Sequence, residues 1–234
     1  MNIHQLRRLF VRASLALPLV LAGCGGPEGS VDLKGYSEIA CTDQNISVSD
    51  LKLTQAPDFV QLRYFDDYAE DGAAPPTPIS LSSSGQPCAT ATDVPACETA
   101  LENAIPTDGF HWKCRGRGGC NDFHFLVTTR GDEVKTHASQ AELQQLLGTI
   151  DTEQEAVLKA FSTRYTFFCG NKERGAVKKN ADGSFNVIGT DGYACGWPGG
   201  ELRQHVLKVT VSGEIEELET RILEEGDTVC PTGR

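Results

Sequence analysis

Two short stretches, Ser139-Gln-Ala-Glu142 and Thr152-Glu-Gln-Glu155, decide how the second half of the chain is read. In each, a hydroxyl residue precedes a glutamate by three positions. At that spacing each side chain satisfies the other's backbone N–H at the start of a helix. They predict helices over 140–147 and 152–163. Beyond Arg164, turn residues recur at Ala181-Asp-Gly183, Gly189-Thr-Asp-Gly192, Gly196-Trp-Pro-Gly-Gly200 and Ser212-Gly213, which divide the remainder into antiparallel strands.

Upstream, Gly109 to Ala138 reads as two linked hairpins, the first closed by Arg115-Gly-Arg-Gly-Gly119 and the second by Gly131-Asp132. Asp58-Phe-Val-Gln-Leu-Arg-Tyr-Phe65 predicts a strand, with another before it around Ile46–Leu53. Residues 69–92, with Pro75, Pro76, Pro78 and Ser82-Ser-Ser-Gly85, predict an exposed loop. Asp93 caps a short helix with Pro95 in its first turn that runs to Asn103. The fold expected is α+β, an antiparallel sheet with short helices. By fold analogy, its C-terminal helix and four-strand meander resemble a cystatin-like roll. The divisions expected are a signal segment over 1–23, a tether over 24–37, a β-rich part over 38–138 and an α+β part over 139–234. The last two are either separate or one continuous domain.

The chain has 234 residues, enough for one ordinary domain or two small ones. Acidic residues number 32 against 21 basic, which argues against a broad electrostatic match to nucleic acid phosphates. With 39% hydrophobic residues and no heptads or long repeats, the chain is neither fibrous nor wholly disordered.

Arg7, Arg8 and Arg12 precede the apolar run Ala13-Ser-Leu-Ala-Leu-Pro-Leu-Val-Leu21, which is shorter than the roughly 20 residues a membrane span needs. The segment ends in Leu21-Ala22-Gly23-Cys24. These residues resemble the lipobox of bacterial lipoproteins. The resemblance implies a thioether lipid on Cys24, cleavage before it and acylation of the new amino group, palmitate being a representative chain. Several acyl chains anchor durably where one does not. Removal of residues 1–23 takes away three arginines and no acid, moving the formal net charge from −11 to −14. Gly25-Gly-Pro-Glu-Gly-Ser30 reads as the tether. By the family's sorting logic, Gly25 in place of an aspartate implies the outer membrane of a Gram-negative host. The runs Gln86 to Cys97, Thr129-Arg-Gly-Asp-Glu-Val134 and Asp151 to Leu158 resemble uncharacterised exported proteins of myxobacteria; this resemblance implies an envelope setting and no activity.

With Cys24 carrying lipid, eight cysteines remain in a domain destined for an oxidising compartment, so four disulfides are expected. Local spacing suggests Cys88 with Cys97 and Cys114 with Cys120. Strand adjacency suggests Cys169 with Cys195, leaving Cys41 with Cys230. No Cys-x-x-Cys pair occurs, which disfavours thiolate zinc and thioredoxin-like chemistry, and no metal or cofactor is expected.

The one convergence of reactive side chains lies in the two hairpins. If Cys114 faces Cys120, period-two alternation puts Phe110, Trp112, Asp122 and His124 on one face and turns His111 to the other. Through the Gly131-Asp132 turn, Arg130 then opposes Glu133 and His124 lies diagonal to His137, with Lys135 on the same, outward face. Phe123, Phe125, Val127, Val134 and Ala138 make the core side. Two imidazoles and a lysine are the groups a metal-independent phosphodiester cleavage would use, as acid, base and charge stabiliser.

His205 alternates with Leu207 and Val209 and reads as a half-buried structural histidine. Glu214, Glu216, Glu217, Glu219, Glu224, Glu225 and Asp227 form an acidic end, a solvated face or a docking surface for a basic partner. Arg115 and Arg117, with Trp112 and Asp122, are candidate binding residues. The function expected is a lipid-anchored envelope module that binds a protein or a glycan. Its rival is a surface-anchored toxin-like hydrolase or nuclease using His124 and His137.

Overall fold

A computed structural model describes residues 31–66, 77–113, 122–194 and 200–226. The signal segment, Cys24, and the predicted loops around Arg115–Cys120 and Cys195–Gly199 lie outside the described residues.

Two hairpins meet in the first sheet, as the sequence predicts. β4 (Phe59–Phe65) pairs with β7 (Asp122–Arg130) along its whole length, from Phe59 opposite Thr129 to Phe65 opposite Phe123. The other edge of β7 is shared: β6 (Phe110–Lys113) takes its first half and β8 (Glu133–His137) its second. β5 (Ile79–Gly85) forms the far edge beside β4. This strand runs through the stretch expected to be loop. Polar and poor in apolar residues, it gains its conformation from the backbone ladder offered by β4, and its exposed side chains suit a sheet edge.

The strand expected around Ile46–Leu53 does not form. In its place a two-residue turn at Asp43-Gln44, both at positive φ, joins β2 (Cys41–Thr42) to β3 (Asn45–Ile46), and 47–53 continues without strand pairing.

The helices follow their caps. α1 (Val94–Glu102) starts at Asp93, whose carboxylate accepts the Ala96 N–H. Its C-terminus is met by Arg63 of β4, which donates to Leu101 O at 2.9 Å and so places a cation at the negative end of the helix dipole. α2 (Gln140–Leu147) and α3 (Glu153–Phe161) both open with complete capping boxes.

In the second sheet, β9 (Ala176–Lys179), β10 (Phe185–Gly192), β11 (Glu201–Val209) and β12 (Ile215–Glu225) pair consecutively and antiparallel, with β1 (Ser37–Glu38) beside β9. Gly189-Thr-Asp-Gly192, expected as a turn, belongs to β10. Gly189 serves packing there, because a Cβ would stand 2.8 Å from the Phe167 ring. The turns at Ala181–Gly183 and Ser212-Gly213 lie where the sequence places them.

From Val31 onward the chain forms one compact unit. α3 is buried around its circumference from Gln154 to Phe161. Val60, Leu62 and Leu126 from the first sheet meet Phe185, Val187 and Leu207 from the second around α2 and α3 in one core. That core draws on both sides of residue 139. The opposite face of the first sheet carries Phe123, Phe125 and Val127 against Leu101 of α1, with Val134 and Ala138 at its margin, so the predicted aromatic side is a core.

Two disulfides close the described part. Cys88–Cys97 is as expected, and it precedes and enters α1. Cys41 pairs with Cys169, which corrects both remaining pairings that involved them, Cys169 with Cys195 and Cys41 with Cys230. The short β2–β3 hairpin brings Cys41 to the segment after α3, a long-range approach that strand spacing does not encode. Cys114, Cys120, Cys195 and Cys230 lie outside the described residues.

Candidate functional site

The register of β7 with β8 is the one alternation predicts: Arg130 opposes Glu133, Thr128 opposes Lys135, and Leu126 opposes His137. The face these residues share with His124 is nonetheless not outward. It looks onto α2 and α3, and Leu126, in the middle of the row, belongs to the main core. Alternation assigns sides of a strand, and both sides of β7 are covered.

His124 and His137 are sorted into different surroundings. The His124 ring lies 5.0 Å from Tyr64 and 4.9 Å from Phe161, and its Nδ1 is 3.3 Å from His111 O. His111 is its neighbour, not a residue of the far face: the two rings are 5.1 Å apart, edge to face. The cause is a bulge. Only Phe110 and Lys113 keep register with β7, and His111 takes φ 51°, a conformation rare for a side-chain-bearing residue, which breaks the two-residue period. His111 then stacks on Phe161 at 4.1 Å, with Nδ1 2.8 Å from Phe161 O. Asp122, also on this side, is buried and accepts from Tyr64 Oη at 2.8 Å.

His137 and Lys135 instead line a cleft of about 160 Å³ between the β7–β8 hairpin, α2 and residues 54–57. Thr128 Oγ1 lies 3.1 Å from His137 Nε2. Burial pushes the His137 imidazolium down, the Lys135 ammonium adds to this, and Glu142 and Glu133 oppose it. Glu142 Oε2 accepts the backbone N–H groups of Ala138 at 2.9 Å and Ser139 at 3.0 Å, which hold its carboxyl below the usual range. The cleft therefore contains one imidazole, cations at Lys135 and Arg130, and carboxylates at Glu142 and Glu133. Sequence reasoning read Glu142 as a cap alone; its second role follows from α2 packing across β8, which no local motif signals.

A second polar cluster surrounds His205, which the sequence reads as a half-buried structural histidine. The ring is 2% exposed, with Nδ1 3.0 Å from Glu217 Oε2 and Nε2 2.9 Å from Asp191 Oδ1 but off the direction of an aligned hydrogen bond. Tyr165 Oη donates to Glu217 at 2.9 Å and Thr220 Oγ1 donates to it at 2.7 Å. The Thr220 bond, followed by Tyr165 and His205, holds Glu217 down to about 2 against the effect of its burial. Both ring nitrogens face carboxylates, so His205 ties β10, β11 and β12 together rather than presenting a free base.

Glu216, Glu219, Glu224 and Glu225 of the acidic end lie on β12, whose outer edge pairs with no strand among the described residues, and Glu214 precedes it; Asp227 lies outside the described residues. Trp112 is in β6, but its side chain, like Arg115 and Arg117, lies outside the described residues. Among the described residues no group of three or more His, Cys, Asp or Glu side chains could hold a metal ion, and no helix is long and apolar enough to cross a membrane. No family model matches the chain, and neither a curated protein nor a solved structure matches it.

Proposed function

We propose that this chain is a lipoprotein of the cell envelope, cleaved before Cys24, anchored by acyl chains at the outer membrane, and acting by binding an envelope protein or glycan. The observation that carries this reading is the pair of disulfides, Cys41–Cys169 and Cys88–Cys97. Such bonds form and persist in oxidising compartments, the destination the lipobox resemblance implies. The resemblance to exported myxobacterial proteins points the same way. The consecutive pairing of β9 to β12 after α3 supports the cystatin-like comparison for the C-terminal half.

Binding is preferred to turnover because the cleft offers one imidazole, with His124 committed to the aromatic cluster around Phe161. The hydrolase reading keeps His137 and Lys135 in a cleft, and a cleavage assay on RNA, DNA and envelope glycans with wild type and His137→Asn tests it. Activity lost in the variant would establish an enzyme.

The intact mass of the protein extracted from membranes without reduction, before and after thiol alkylation, tests the main reading. A chain starting at Cys24 with acyl mass, and no alkylation at Cys41, Cys88, Cys97 or Cys169, is expected. An unlipidated mass, or alkylation of those four, overturns it.

A further inference from the structure

The cleft between β7, β8 and α2 is lined by exposed charges of both signs, and this combination selects its ligand. Lys135 and Arg130 enter no salt bridge among the described residues. Across from them Glu142 is held through Oε2 by the backbone N–H groups of Ala138 and Ser139. At the floor His137 is 4% exposed; Thr128 occupies Nε2, and Nδ1 has no hydrogen-bond partner among the described residues.

A simple anion would meet Glu142 and Glu133, and a simple cation would meet Lys135 and Arg130. Each like-charge contact opposes binding, which is how a site rejects the wrong ligand. Size limits the choice further: about 160 Å³ lies below the roughly 300–1,000 Å³ of pockets for drug-sized ligands, so an oligosaccharide or long peptide does not fit inside. We propose that this cleft binds a compact zwitterion of α-amino-acid size, its ammonium on Glu142, its carboxylate on Lys135, and its third substituent facing His137. The proposal rests on the chain being a binding protein and is independent of its tether.

The test is a calorimetric and NMR titration of the detergent-solubilised full chain with alanine, serine, glutamate and lysine, alongside propionate and propylamine as single-charge controls. At least one amino acid should give saturable shifts at Thr128, Lys135, His137 and Glu142 and bind about tenfold or more tightly than either control. Propionate or propylamine binding as well as the amino acids overturns the zwitterion, and no saturable shift below about 10 mM overturns the site. Lys135→Gln and Glu142→Gln should each weaken the best amino acid by about tenfold, a loss expected for one charge-assisted contact. Glutamine retains the capping box, so the second variant keeps α2 in place. Unchanged affinity in either variant overturns the proposal. An acylated chain that binds no amino acid defeats this inference alone, whereas an unlipidated chain that binds one defeats only the anchoring.

Discussion

His205 stands between two carboxylates from different strands, Asp191 of β10 and Glu217 of β12, at 2.9 Å and 3.0 Å. Its ring is buried, so replacing it with an apolar side chain leaves both acids facing a site that no longer answers them. His205→Leu is expected to lower stability by about 1–3 kcal/mol, the cost of stranding partly buried polar partners. Urea unfolding of both proteins checks this. An unchanged midpoint would mean the imidazole contributes nothing to joining the strands.

Glu217 gives the same cluster a dependence on pH. A carboxyl held down to about 2 in the fold, against an ordinary value of 4.5, stabilises the protein above about 4.5 and loses that contribution as pH falls toward 2. Thr220 supplies the largest effect, so Thr220→Val should raise the Glu217 pKa and move the acid-unfolding midpoint to higher pH. Carboxyl NMR of Glu217 reads the first change and circular dichroism the second. A Glu217 titration unaffected by the substitution would reassign the cause to Tyr165 and His205.

Local rules carried the sequence reading a long way and failed where distant elements decide. Both capping boxes, the Asp93 cap and the β7–β8 register were legible because each depends on residues within a few positions of one another. The partnership of His111 with His124 was hidden by one residue at positive φ, which cancels alternation for everything before it. The cover over His124 and Leu126 was hidden for another reason: period two separates the sides of a strand without saying what packs on either. β5 and Cys41–Cys169 belong to the same class, a polar segment and a cysteine whose partners are supplied by chain folded elsewhere. The cleft was half legible, through His137 and Lys135, and its acidic wall came from a helix cap.

His137 is pushed below its ordinary 6.5 chiefly by burial, with help from Lys135. A histidine depressed in this way stabilises the fold above about 6.5 and withdraws that contribution as pH falls through its folded value. His137→Gln is expected to flatten the pH dependence of stability just below 6.5 while retaining a polar contact to Thr128. Unfolding midpoints measured across that interval decide it. A slope identical to wild type would show that the imidazole titrates alike in the folded and unfolded chains.

The two disulfides differ most in the length of chain they close. Cys41–Cys169 spans 128 positions and Cys88–Cys97 spans nine. If cross-links act by restricting the unfolded chain, the losses expected are about 5 kcal/mol for the first and about 3 kcal/mol for the second. Their surroundings act in the same direction. Cys41 packs against the main core, while the Cys88 segment is also held by Asp58 and Asp132, which accept hydrogen bonds from Thr90 and Thr92. Denaturant unfolding of Cys41→Ala/Cys169→Ala against Cys88→Ala/Cys97→Ala, each compared with wild type, should therefore show the larger loss in the first pair. Equal losses would mean that both bonds act through local native contacts rather than through chain entropy. Hydrogen exchange then distinguishes the sites of damage: the second pair should loosen α1 and the Gly131-Asp132 turn, leaving β9 to β12 protected.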